Sequence, residues 1–379
     1  MPSLAELIDV LDRWYPPATA ESWDAVGLTC GDPAAELDRI LLAVDCVPAT
    51  VAEAIDRRAG LLLTHHPLLL TGVHGVPADD PKGALVHRMI KADLAHFVAH
   101  TNADIAAHGV SEALADLLGL LDCQPLQAAS AAALDHLTVF VPPAHTARLL
   151  AALAEAGAGA VGNYAECSFT VDGTGSFRPL PGAQPAEGAV GELSRNPETR
   201  LSMVLPRARR AAVLAAMRAS HPYEEVAFEL TEQPRLAGST GTGRVGRLAV
   251  PLTLRDFLDH AAASLPRTAW GIRAAGDPAQ LIGTVAVCGG SGASYAEAAR
   301  RAGADAYLTS DLKHHSTSEA VDEAQGVGLA PLALIDAAHW ATEAPWLQVA
   351  AELLREHFGD RLEVVVSALV TDPWTLHAR

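Results

Sequence analysis

The sequence predicts an α/β fold in which two related α/β halves build one domain and an α+β insert of ferredoxin-like order interrupts it. Three observations carry this. Strand and helix patterns alternate in the first third, the alternation returns in the last third, and the middle follows a different order. In the first third, residues 40–46 read as a strand and 49–58 as a helix, with 61–64 the next strand. Residues 82–93 read as a helix, 96–100 as extended and 110–118 as a helix. Such alternation implies a mostly parallel sheet covered on both faces.

The last third gives strand 285–288, helix 293–302, strand 306–309, a helix from His315, strand 332–335, helix 341–356 and strand 362–366. The middle gives strands 136–141, 167–171, 201–205 and 226–230, helices 144–156 and 208–220, and a Gly/Pro-rich loop over 172–191. That β-α-β-β-α-β order is ferredoxin-like. The expected boundaries are 1–128, 129–245 and 246–379, with the outer segments needing each other to complete one sheet.

The outer thirds resemble each other. Ala43-Val44, Ala52-Glu53-Ala54, Arg57-Arg58-Ala59-Gly60 and Leu63-Thr64 have counterparts in Ala286-Val287, Ala296-Glu297-Ala298, Arg300-Arg301-Ala302-Gly303 and Leu308-Thr309. Internal duplication is one reading and coincidence in an alanine-rich chain the other.

The 379 residues suffice for two or three domains, and half are hydrophobic. The net charge of −18 argues against a broad nucleic-acid surface. Five scattered cysteines without a C-x-x-C pair argue against a disulfide framework and a thiolate zinc site. No basic, apolar leader and no membrane-length apolar run is evident, so a cytoplasmic protein is expected.

Four clusters carry candidate chemistry. Leu61-Leu62-Leu63-Thr64-His65-His66-Pro67 is an apolar run closed by proline, read as a buried strand that ends in two imidazoles. Open α/β sheets place ligand sites at such strand ends. Neighbouring side chains on a regular strand point to opposite faces. The pair is therefore one core and one exposed histidine, or the backbone bends there and both rings turn to one cleft. The second cluster is His100-Thr101-Asn102-Ala103-Asp104. It reads either as a loop with Asx-turn residues or as a ligand segment. In the third, His339 and Glu343 are four apart and share a face if a helix starts there. A solvent salt link and a metal site are the two alternatives. The fourth, Thr309-Ser310-Asp311-Leu312-Lys313-His314-His315, offers helix caps in Ser310 and Asp311 or substrate-facing groups.

Imidazoles and carboxylates at four segment ends fit one metal-binding domain better than four coincidences. The candidate ligands are His65, His66, Asp104, His339 and Glu343. Five mixed nitrogen and oxygen ligands exceed the need of one catalytic zinc and suit two divalent ions with a bridging carboxylate. Zinc, iron or manganese match imidazole better than calcium or magnesium. Gly289-Gly290-Ser291-Gly292 reads as a tight turn, with contact to a substrate phosphate at the helix N-terminus as the alternative; it lacks the G-x-G-x-x-G spacing and the Walker lysine of a nucleotide-binding loop.

With these motifs on view, the chain resembles the YbgI/YqfO-like dinuclear metal centre proteins, often described as GTP cyclohydrolase 1 type 2 homologues. Trp23-Asp24-Ala25-Val26-Gly27-Leu28, Thr64-His65-His66-Pro67, His100 to Asp104, and His339 with Glu343 carry the likeness. Gly162 to Phe169 and His221-Pro222-Tyr223-Glu224-Glu225-Val226-Ala227 are similar to the PII/CutA-like insert of the family's long form. The resemblance implies the ligands named above and a homohexameric toroid with metal sites facing an inner cavity. Asp336-Ala337-Ala338 departs from the glycine that relatives often carry before the histidine.

The expected function is a metal-assisted hydrolase acting on a small molecule, possible substrates being a nucleotide or a phosphoester. Two close divalent ions would activate a shared water. His100 is the candidate to orient or deprotonate that water, and Lys313 and His314 to bind a phosphate or purine carbonyl. The alternative is a non-catalytic metal-binding assembly or adaptor protein.

Overall fold

The computed structural model describes residues 1–130, 133–234, 237–326 and 332–378. The chain is mixed α/β and divides into two compact units. One comprises Met1–Ala129 with Ser239–Arg379, the other Ser130–Gly238.

The larger unit holds two sheets, where a single sheet shared by the outer thirds was expected. The first runs Gly27–Cys30, Ala95–Val98, Leu61–Thr64, Arg39–Ala43, Glu363–Val366. Its four inner and C-terminal strands are parallel, and Gly27–Cys30 closes one edge antiparallel. The second runs Ile272–Ala275, Ala333–Ala337, Ala306–Ser310, Leu281–Ser291, Ala237–Thr253, Leu121–Ser130. Its parallel core is flanked by antiparallel Ile272–Ala275 and Ala237–Thr253. Each half therefore contributes a strand to the other's sheet. The antiparallel strands that flank the parallel cores were not read from the sequence. Ala237–Thr253 carries four glycines and a proline and shows no apolar alternation, because backbone pairing holds it rather than side-chain burial.

The register sets what stands at the sheet ends. Ala43 is level with Thr64, and Thr64 with Val98. The residues just beyond are Asp45, His65 with His66, and His100, so strand pairing alone brings them to one edge. In the second sheet Ser310 is level with Ala337, which aligns Asp311 with the approach to His339.

The core explains why these strands stay aligned. Helix Leu4–Trp14 buries Leu4, Leu7, Val10 and Leu11 at helical spacing, with Ser3 capping its N-terminus through Glu6 N–H. Helix His339–Phe358 buries Trp346, Leu347, Ala350, Leu354 and Phe358 in the same cluster. Trp346 also donates its indole N–H to the Tyr15 hydroxyl at 3.2 Å.

The smaller unit has strands Leu134–Val141, Ser168–Phe177, Ser194–Pro206 and Phe228–Glu232, with helices Thr146–Glu155 and Arg210–Ser220. Neighbouring strands are antiparallel, in the sheet order second, third, first, fourth. Leu137, Val139, Leu149, Leu153, Leu201, Met203, Val213 and Met217 form its core. Buried Asp135 pairs with Arg207 and Arg210. The loop expected over 172–191 begins later, because Ser168–Phe177 and Ser194–Pro206 form one long hairpin with Phe177 opposite Ser194. That strand is almost wholly exposed, so no burial pattern carried the strand expected over 167–171 on to Phe177.

His96 lies fully buried on Ala95–Val98, and its Nε2 lies 2.8 Å from Thr64 Oγ1. The Thr64 hydroxyl donates in turn to the His66 carbonyl at 2.8 Å, so Nε2 of His96 carries the proton. Burial pushes the His96 imidazole down to about 4 from 6.5. Between those values the unfolded chain binds the proton and the folded chain does not. Its contribution to stability is thus complete above pH 6.5 and is lost as the pH falls to 4, a change of about 3 kcal/mol. His96→Leu is expected to flatten the fall in urea midpoint between pH 6.5 and 4. An unchanged slope would remove His96 as a source of acid sensitivity.

Candidate metal centre

Four histidines meet at the sheet ends, and each is held by its Nδ1. His65 Nδ1 lies 2.9 Å from the Ala99 carbonyl. His66 Nδ1 is 2.7 Å from Asp45 Oδ1, His100 Nδ1 is 2.7 Å from Asp24 Oδ1, and His339 Nδ1 is 2.7 Å from Asp311 Oδ2. All four partners are acceptors, so Nδ1 donates and the Nε2 lone pair is left for the site. This is how metal-binding imidazoles are usually oriented from outside.

His65 and His66 both turn to one cleft, with ring centroids 5.0 Å apart and planes at 45°. The strand ends at Thr64, and the bend that follows replaces strict alternation. Trp346 packs 5.5 Å from the His65 ring and fixes it from the core side. His339 opens its helix, and Glu343 lies one turn on, so the two share a face. Glu343 is 2% exposed. Its Oε1 is 2.9 Å from His339 Nε2 and 3.5 Å from His65 Nε2, and its Oε2 is 3.1 Å from His66 Nε2. Asp104, in the short helix Thr101–Ile105, brings Oδ1 to 3.9 Å from His65 Nε2.

The donor set fits metal ions. His65 Nε2, Asp104 Oδ1 and Glu343 Oε2 are buried atoms without a hydrogen-bond partner, all in the same place. Buried polar atoms are rarely left so, and an ion accounts for all three. Ligand atoms of His66, His339 and Glu343 lie within 4.8 Å of one another, as do those of His65, His66 and His100. His100, expected to handle water, therefore also stands at ligand spacing.

Charge at the site is strongly coupled. Burial would lower His66, but Glu343 and Asp45 push it up to about 11. Burial likewise opposes His339, and Glu343 with Asp311 pushes it up to about 9. Burial would raise Glu343, yet His66, His65 and His339 hold it well below the usual carboxylate range. Burial pushes Asp104 up to about 6 against the pull of His65. His100 is lowered, first by burial and then by His65.

The Gly-rich turn 289–292 closes the site. Gly290 has φ +65°, and a Cβ there would stand 2.5 Å from Glu343 Oε1. Its N–H is taken by Thr342 Oγ1 at 2.9 Å, and that of Gly289 by Ser111 Oγ at 3.3 Å, as a structural turn requires. Trp23, His66, His100, Asp104, Tyr295 and Glu343 wall a cavity of about 730 Å³ in front of the cluster.

Not every candidate enters that cavity. Asp311 joins the site through His339, while helix His314–Gly326 begins three residues beyond it. Lys313 and His314 instead line a different cavity of about 570 Å³ with Arg273, Leu312 and Asp336. Asp24 and Asp45 were not singled out as partners. They lie 76 and 21 residues from their histidines, and no spacing rule signals that.

The Duf34/NIF3 (NGG1p interacting factor 3) family model matches residues 2–373. The chain belongs to the Duf34/NIF3 family. A Mycobacterium tuberculosis relative named GTP cyclohydrolase 1 type 2 homolog is 50% identical over 374 residues, covering 98% of this chain and 97% of the relative. A Bacillus cereus crystal structure described as related to NIF3 is 32% identical with TM-score 0.78, covering 99% of both chains. A Staphylococcus aureus crystal structure is 26% identical with TM-score 0.83, again covering 99% of both. The Duf34/NIF3 chain thus has a mixed α/β fold and a His/Glu cluster able to hold metal. No helix among its described residues is long and apolar enough to cross a membrane.

Asp311 has φ +57°, a conformation that asparagine also tolerates. Asp311→Asn should therefore keep the backbone and lose the charged partner of His339. Metal affinity by competition with a chelator is expected to fall roughly 10–100-fold. Unchanged affinity would show that the carboxylate does not tune the site. Gly290→Ala should displace Glu343 and lower metal content per chain, read by mass spectrometry. Full content would refute the tight approach.

Proposed function

We propose that this chain is a dinuclear metal-dependent hydrolase with His65, His66, Asp104, His339 and Glu343 as ligands. The observation that carries the reading is the convergence of three imidazole Nε2 atoms on one buried carboxylate, beside one further unpartnered oxygen, Asp104 Oδ1. Two divalent ions, drawn from zinc, iron and manganese, would supply Lewis acidity and an activated water. Glu343 would hold them through both oxygens, since each faces an imidazole. Asp24 holds His100 with Nε2 free, which suits it to orient the attacking water or move its proton.

Lys313 and His314 are the anion-binding groups of this reading. They stand at the start of helix His314–Gly326, where positive charge and the helix dipole add. The substrate is a small molecule with an anionic group, either a nucleotide opened by GTP cyclohydrolase-type chemistry or a phosphoester. The relatives' name supports the first choice. The protein works in the cytoplasm as a homohexameric toroid. The Ser130–Gly238 unit is its inserted ferredoxin-like domain, and Met1–Ala129 with Ser239–Arg379 are its metal-binding halves.

One observation favours the alternative of a non-catalytic metal-binding adaptor. Lys313 and His314 open onto another cavity than the metal ligands do. Metal mass spectrometry joined to a hydrolysis screen on GTP and phosphoesters separates the readings. The hydrolase predicts about two ions per chain, turnover lost in His65→Ala, and Lys313→Ala raising KM with metal unchanged. Full metal with no turnover on any substrate would select the adaptor. A chain without bound ion would overturn both.

A further inference from the structure

A second cavity lies behind the histidines, on the side of their Nδ1 atoms. It measures about 290 Å³, and its walls include Asp45, Asp311, Trp270, Trp340, Asp372 and Trp374. Three carboxylates and three indoles enclose a space that the hydrolytic reading does not use.

Two of the carboxylates are committed. Asp45 accepts from His66 and from the Thr371 hydroxyl, and Asp311 accepts from His339. Asp372 accepts one backbone N–H, that of Trp374, and is satisfied on one oxygen only. It is 8% exposed, and its Oδ2 is buried without a hydrogen-bond partner. A carboxylate with one oxygen left so favours a donor or a cation beside it, and Asp372 lines this cavity. The aromatic walls narrow the choice. Indole faces attract cations, above all when a carboxylate stands near. Trp270 already has the Arg273 guanidinium over its ring at 4.9 Å, and that cation is tied to Asp336 at 2.8 Å. Trp374 packs against Trp270 with centroids 5.6 Å apart and remains 59% exposed, so it forms the rim. A metal ion is a poorer occupant. Among the described residues, the groups at ligand spacing do not include Asp372.

We propose that this cavity binds the organic ammonium group of a small molecule, with Asp372 as its counter-ion and Trp270 and Trp374 as its aromatic walls. The volume is at the lower end for small-molecule sites and matches a compact head group. The proposal does not rest on the hydrolase reading.

The test is a tryptophan fluorescence titration of the metal-loaded full chain at constant ionic strength. The probes are cyclohexylammonium and its neutral analogue cyclohexanol. The expected result is a saturable response to the cation, with cyclohexanol weaker by roughly tenfold or more. Asp372→Asn preserves shape, and Trp374→Leu alters an exposed rim. Each should weaken the cation by roughly tenfold and leave metal content unchanged. Equal response to both probes, or unchanged affinity in both variants, would overturn the proposal. Metal content in the same samples reports on the metal centre separately, so loss of ion with retained cation binding would leave this site standing.

Discussion

The structure of the larger unit turns on one buried carboxylate. Glu343 is withdrawn from water at the second turn of its helix, and an ionised carboxylate in that position costs several kcal/mol unless opposite charge meets it. His65, His66 and His339 meet it at 2.9 to 3.5 Å. The imidazoles from the first sheet and the helix that follows the second are thereby held to a common point. Small shifts of that helix are opposed on several sides. Gly290 approaches so closely that even a methyl group would collide, and Trp346 fills the core one turn beyond. A proton or a metal ion can satisfy the cluster, and the two compete for the same nitrogen atoms.

Around that point the protein repeats one device. Each imidazole gives its Nδ1 proton to an acceptor on a neighbouring segment: a carbonyl for His65, aspartates for His66, His100 and His339. The acceptors fix ring orientation, and the aspartates add negative charge that raises ligand basicity. Strand register supplies much of the alignment, since Ala43, Thr64 and Val98 end level and the side chains beyond them have only one edge to occupy. Thr64 ties the layers together, accepting from buried His96 while donating to the His66 carbonyl.

How much of this could be read in the sequence depends on whether burial leaves a local trace. Leu61 to Leu63 form an apolar run that stops at two histidines, so strand and site were both visible. His339 and Glu343 sit four apart, and helix geometry alone places them together. Asp24 and Asp45 left no trace, because their bonds to histidine are long-range and aspartates in loops have many ordinary uses. Two further strands were read only in part, as 167–171 for Ser168–Phe177, or not at all, as Ala237–Thr253. Exposed Ser168–Phe177 and glycine-rich Ala237–Thr253 are held by backbone pairing, which side-chain patterns do not record. The expectation of one sheet failed as well: each half builds its own sheet and lends one strand to the other's.

The repeat between the outer thirds gains a physical sense from the two sheets. Thr64 ends a fully buried parallel strand, and Thr309 is the last residue but one of another, Ala306–Ser310; each strand follows a strand and a helix. After Thr64 the chain presents His65 and His66, whose Nε2 atoms face Glu343. After Thr309 it presents Ser310 and Asp311, which bond to Thr342 and His339 on the helix bearing Glu343. Equivalent strand ends thus do different work: the first places nitrogen atoms in the centre, and the second braces the helix that completes it. One topology used twice can build such a site without identical residues, because the strand ends set position while the side chains that follow set chemistry.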